Sequence, residues 1–218
     1  MKQISITLFI ALFPVLLFAQ ATKEIKDKKT LEVYHVLKSD HKTMHGKYER
    51  SWYAGNIRTR GYYNNGVKDS IWEYYSREGE LEQKYDYTHH VLVYDDNKKA
   101  PLPGNSMIIK GTDTVLVKLD RDPIFIGGVT QLFSLLSEKI RMPGEAVDAG
   151  ISGTVYISFV VDSSGKVTHQ KIKKGIGYGC EEEALRVVKE YLTDWIPATV
   201  HGTPVSVVYT MPLKFVVH

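Results

Sequence analysis

One cysteine, Cys180, stands in 218 residues, which excludes an intramolecular disulfide framework. Charge of one sign is also missing. Lys and Arg number 28 against 25 Asp and Glu, and the resulting +3 is scattered along the chain. A nucleic-acid-binding surface needs a concentrated basic face, so that class of partner is excluded. No apolar run reaches the ~20 residues that a membrane-crossing helix requires. Nor do nucleophile, base and metal-ligand residues recur at spacings that would assemble an active site, so no catalytic residue, metal ligand or cofactor site is expected. What is present is 43% hydrophobic residues, enough for one or two ordinary cores, and strands with unusually clean alternation.

The N-terminus has a recognisable grammar. Lys2 precedes an apolar run from Ile4 to Ala19 that Pro14 interrupts, and Ala19-Gln20-Ala21 closes it. A basic start, a short apolar core and an Ala-x-Ala ending read as a secretory signal peptide over residues 1–21. The expected location is the periplasm; retained instead of cleaved, the same segment would be a short inner-membrane anchor. No Cys follows the run, so a lipid anchor is not indicated.

Residues 22–96 are rich in Tyr and Trp with glycines at short intervals. Gly55-Asn-Ile57 through Gly61-Tyr-Tyr63 superposes on Gly79-Glu-Leu81 through Tyr85-Asp-Tyr87 at an offset of 24, which also lays Tyr48 on Trp72. Such a period, with Asn65-Gly66 as a hairpin turn, predicts stacked β-hairpins. The stretch from Asp69 through Trp72, Tyr74 and Tyr75 to Gly79-Glu-Leu81 resembles bacterial MORN-type repeats. That resemblance implies an interaction or scaffold surface.

Asn97 to Asp120 reads as a linker, since Pro101, Pro103 and Gly104 interrupt any regular element. A small hairpin is expected within it, Met107 to Lys110 against Thr114 to Lys118. Its spacer from Ala100 to Asp120, about 20 residues, reaches at most roughly 70 Å when extended. A second domain follows over residues 121–218, giving an α+β chain with an all-β hairpin-repeat region before a C-terminal β-β-α-β module.

Within that module, Leu132, Leu135, Leu136 and Ile140 share a helical stripe over Val129 to Ile140, and a short helix is expected from Gly144 to Ala149. Thr154 to Val161 alternates as a half-buried strand, and Asp162-Ser-Ser-Gly165 turns it back into Val167 to Lys173. A helix then carries Ala184, Val188, Leu192 and Trp195 on one stripe. Val205, Val207, Tyr209, Met211, Leu213, Phe215 and Val217 share one parity and predict a long final strand. Antiparallel pairing of this third strand with the first gives an antiparallel sheet in the order two-one-three, with the last strand at an edge. Its residues Val205, Ser206, Val207, Val208, Tyr209 and Thr210 are the candidate surface for adding a partner peptide as a further strand. Pro212 limits such pairing to the first half.

Pro123 through Gly128, Met142-Pro143 with Ala146, Gly150-Ile-x-Gly153, and Phe159-x-Val161-Asp-x-x-Gly165 resemble a TonB C-terminal domain. Gly177-Tyr-Gly179-Cys180 through Ala184, Trp195-Ile-Pro197-Ala198, Gly202-x-Pro204-Val and Pro212-Leu-Lys-Phe215 continue the same order. Met142 stands where the family usually has Tyr. The resemblance implies binding of the TonB-box peptide of an outer-membrane receptor in energy-coupled transmembrane transport, with an inner-membrane proton-driven motor as a further partner.

Sharper chemical readings lose to plainer ones. Gly175-x-Gly177-x-Gly179 departs from dinucleotide-binding spacing at Cys180, and Glu181, Glu182 and Glu183 would repel a phosphate there. Adjacent His89 and His90 point to opposite faces of a strand, so with Asp95, Asp96, His35, His41 and His45 they make no shared metal site. Cys180 lacks an electropositive setting and is no nucleophile. Lys166, Lys171, Lys173 and Lys174 form a basic hairpin suited to solvent, with peptidoglycan contact as the sharper reading. Tyr62, Tyr63, Trp72, Tyr74, Tyr75, Tyr85 and Tyr87 are expected to pack hairpins together rather than hold a ligand. The leading expectation is an exported TonB-like binding protein; the alternative is a non-energised envelope adaptor or scaffold for protein or cell-wall partners.

Overall fold

A computed structural model describes residues 20–96, 107–110 and 113–217. Residues 1–19 of the expected signal sequence over 1–21, and the linker core at 97–106, lie outside the described residues. Among the described residues, no helix is long and apolar enough to cross a membrane.

The first part is a seven-stranded antiparallel meander whose strands pair in chain order. It comprises β1 (Thr22–Asp27), β2 (Glu32–Leu37), β3 (Met44–Ser51), β4 (Ile57–Asn64), β5 (Val67–Tyr75), β6 (Leu81–Asp86) and β7 (Val91–Asp95). The 24-residue offset advances the sheet by two strands, laying β3 on β5 and β4 on β6. Trp52 shows the period directly, since its indole N–H donates to the carbonyl of Ser76, 24 positions on, at 2.9 Å. On the buried face, Trp72 stacks on Tyr48 and meets Tyr63 and Tyr87 edge-on. Of the seven aromatics named from the sequence, Trp72, Tyr74 and Tyr85 are buried, whereas Tyr62 is exposed.

A small hairpin follows, β8 (Met107–Lys110) against β9 (Asp113–Leu116). The rest of the chain supplies β10 (Ile124–Phe125), α1 (Gly128–Lys139), α2 (Gly144–Asp148), β11 (Gly153–Val161), β12 (Val167–Lys174) and α3 (Cys180–Tyr191). It ends in β13 (Trp195–Ile196), β14 (Ala198–Val200), β15 (Thr203–Val205) and β16 (Val207–Phe215). The larger C-terminal sheet runs β12-β11-β16-β8-β9.

Alternation explains its core. Val155, Ile157, Phe159 and Val161 of β11 face Ala184, Val187 and Val188 of α3, together with Met211, Leu213 and Phe215 of β16. Each fully buried aliphatic or aromatic side chain here contributes about 1.5–3 kcal/mol. The acidic first turn of α3 complements the helix dipole, and Glu181 also accepts the Gly177 N–H at 2.7 Å.

Two sequence expectations are corrected. Trp195 does not continue the stripe of α3, which is capped at Leu192. It sits in β13 opposite Phe125, because Pro197 disfavours helix just before it. The final strand does not begin at Val205. Thr203–Val205 turns back on Ala198–Val200 around His201-Gly202, both at positive φ, and the chain enters β16 only at Val207. A shared parity cannot reveal that the pairing partner changes at Ser206.

The two parts are docked. Gln83 is fully buried; its carbonyl oxygen accepts the Gly127 N–H at 2.6 Å, and its amide donates to the Phe125 carbonyl at 3.3 Å. Arg58 of β4, also buried, donates to Gln131 of α1 at 2.8 Å and to Glu138, and lies over the Trp52 ring. Burial depresses the Arg58 guanidinium, an effect that Glu138 opposes.

Candidate functional site

The outer edge of β16 is built by two alternations. Side chains alternate between faces, and Val207, Tyr209, Met211, Leu213 and Phe215 go into the core. Backbone groups alternate between edges. β16 pairs with β11 along its whole length, Val207 opposite Val161 through Phe215 opposite Gly153. The Ser206 carbonyl points to the other side, where it accepts the Ile109 N–H at 2.9 Å. By alternation Val208, Thr210, Pro212 and Lys214 point their backbone groups the same way. Pro212 therefore lacks its donor on the outward row, where the β11 ladder loses nothing.

The six candidate residues fall into three situations. Val205 belongs to β15, opposite Ala198. Ser206 lies between strands, and its hydroxyl accepts the Ser163 N–H at 3.2 Å. Val207 and Val208 are paired on the outer side with Ile108 and Met107 of β8, whereas no described strand pairs with Thr210 on that side. The last strand is thus not a bare edge: its first two residues are covered by a hairpin from the linker. Sequence reasoning recognised that hairpin but left it isolated. The missed signal is Ile108-Ile109, an aliphatic pair too apolar for a free linker.

The opposite edge of the sheet, β12, carries Lys166 in its leading turn and Lys171, Lys173 and Lys174 along it, all exposed. Lysines on an edge strand discourage further strand pairing.

The other sequence candidates do not converge. His89 bonds Asp86 at 2.8 Å, His35 contacts the Lys47 carbonyl, and His45 accepts the Asn65 N–H. Among the described residues, no group of three or more His, Cys, Asp or Glu is placed to hold a metal ion. Burial pushes the Cys180 thiol up, and Glu181 and Glu182 add to the effect, so the thiol is unsuited to nucleophilic work. Between the meander and the C-terminal elements lies a cavity of about 410 Å³ lined by Glu82, Asp95, Phe125, Leu132 and Trp195 among others. Burial raises the Asp95 carboxyl there, against a hydrogen bond from Gln83.

Neither a curated protein nor a solved structure matches the chain. Residues 138–217, from the end of α1 through β16, match the family model described as Gram-negative bacterial TonB protein C-terminal.

Proposed function

We propose that this is an exported, periplasmic TonB-like protein whose C-terminal unit binds a partner peptide by strand addition along β16, Val207 to Thr210. The partner would be the TonB-box peptide of an outer-membrane receptor, in energy-coupled transport. The observation that carries the reading is the pairing asymmetry of the sheet: a lysine-lined β12 edge, and a β16 that β8 covers only at Val207 and Val208, with backbone groups turned outward at Thr210. The match over residues 138–217 supports the same reading. The meander, similar to MORN-type repeats, would add an interaction surface on its outer face, where Glu24, His35, Lys47, Arg60, Tyr62 and Glu73 line a groove. Isothermal titration of the full chain against TonB-box peptides tests the proposal. Binding that is lost when Thr210 is replaced by Pro supports it; no binding at millimolar peptide removes the receptor.

A second reading has its own observation. Gln83, Arg58 and Gln131 fix the meander to α1 and its leading loop, which suits a static envelope adaptor better than a force-transmitting domain on a free tether. Peptidoglycan pull-down and light scattering separate it: capture by cell wall without peptide binding favours the adaptor.

A further inference from the structure

We propose that Ser206 and the first two residues of β16, Val207 and Val208, form an acceptor site for an extended strand bearing an aliphatic residue at the position of Ile108. The chain's own β8 is then its resident competitor, which a partner strand displaces. The inference rests on the strand-addition reading above.

Three observations carry it. First, β8 occupies the best stretch of the edge. From Ser206 to Thr210 the outward row has no interruption, whereas Pro212 removes a donor farther along. Second, the site has a side-chain pocket. Ile108 is buried against Ala198 and Val207, with Val117, Leu119 and Val205 around them. Because Ser206 exchanges a hydrogen bond with β8, Val207 and Ile108 form a non-hydrogen-bonded pair, the arrangement that brings opposed side chains closest. An aliphatic side chain fits there, and a charged one would be buried unpaired. Third, β8 is weakly held. Among the described residues it pairs with β16 at Val207 and Val208 only, beside the Ile109 N–H bond to the Ser206 carbonyl, and its other neighbour, β9, pairs with no further strand. Val115 and Leu116 of β9 remain exposed. A two-stranded hairpin is marginal in water, so β8 depends on this short pairing and on the Ile108 contacts to stay in place.

The test uses the full chain in opened and locked forms. Ile109→Pro removes the donor to Ser206 without touching β16. Ile108→Cys with Val207→Cys, in a Cys180→Ala background, ties β8 down when oxidised. Two probes are titrated: a synthetic peptide of residues 105–112, and a TonB-box peptide. The opened form is expected to bind the 105–112 peptide at least tenfold more tightly than the parent. The oxidised form should bind neither probe, reduction should restore binding, and an Ile108→Asp version of the 105–112 peptide should not bind. Equal binding of the 105–112 peptide to opened and locked forms, or to none, overturns the acceptor site. Binding of the 105–112 peptide without the TonB-box peptide upholds the site and overturns the receptor reading instead. Should Ile109→Pro not fold, the comparison of oxidised and reduced lock decides alone.

Discussion

Trp72 lies flat across Gly61 on the neighbouring strand, so close that a Cβ on Gly61 would fall 2.3 Å from the indole. The ring is 1% exposed and held by Tyr48, Tyr63 and Tyr87, so it has nowhere to retreat. Gly61→Ala should therefore lower the unfolding free energy by about 2–3 kcal/mol through overpacking. Gly144 is the control, since nothing lies within 4 Å of its added Cβ and it opens α2. Gly144→Ala should be neutral or slightly stabilising. Paired urea denaturation curves check both.

Arg58 is the hinge of the docking between meander and α1. Arg58→Ala leaves Gln131 and Glu138 short of a partner and should cost about 2–4 kcal/mol. The double variant Arg58→Met with Glu138→Leu should recover the part of that loss due to Glu138, while the Gln131 oxygen stays without its donor. A double-mutant cycle by thermal unfolding measures the coupling, and a coupling near zero would contradict the docking.

Glu73 sets an acid limb. Burial favours its neutral form, but hydrogen bonds from Lys84, Tyr75 and Arg60 outweigh it and bring the carboxyl down to about 2. A carboxyl lowered on folding stabilises above its unfolded pKa, near 4.5, and loses that contribution as pH falls toward 2. Arg60 and Lys84 are solvent-exposed enough to screen the interaction, so the loss should be about 1–2 kcal/mol. Glu73→Gln should flatten this part of the stability–pH curve, measured by denaturant midpoints from pH 6 to pH 2.

Cys180 opens α3 and is fully buried, with its thiol pushed up by burial and then by Glu181 and Glu182. Native protein at pH 8 should not react with a thiol-specific disulfide reagent, whereas unfolded protein should titrate one thiol. Rapid reaction of the native form would mean that the helix start opens.

Gly165 closes the β11–β12 turn at φ 83°, and a Cβ there would lie 2.0 Å from the Trp195 carbonyl oxygen. Gly165→Ala meets both backbone strain and a clash with backbone, which cannot rotate away as a side chain can. A loss of about 3 kcal/mol or more in chemical denaturation is expected.

How far the amino-acid sequence reaches depends on whether a feature is local. Alternation in Val155–Val161 and Val207–Phe215 fixes which faces are buried, because the side-chain period of a strand is set by covalent geometry. The helix at Cys180 and the turn at Gly165 are likewise written in adjacent residues, and the 24-residue period announced that hairpins stack. Periodicity says nothing about which strand lies on the far side of an edge. That Ile108 sits against Val207, that Trp195 leaves the helix for Phe125, and that Arg58 reaches Glu138 across 80 positions were decided by packing distant segments together. Residue pattern alone determined that Pro212 interrupts the donor row of the last strand; only tertiary structure decided that this strand lies between β11 and the chain's own β8. Edge pairing is a contest between strands of similar backbone, and the winner is chosen by where an aliphatic side chain such as Ile108 finds a pocket.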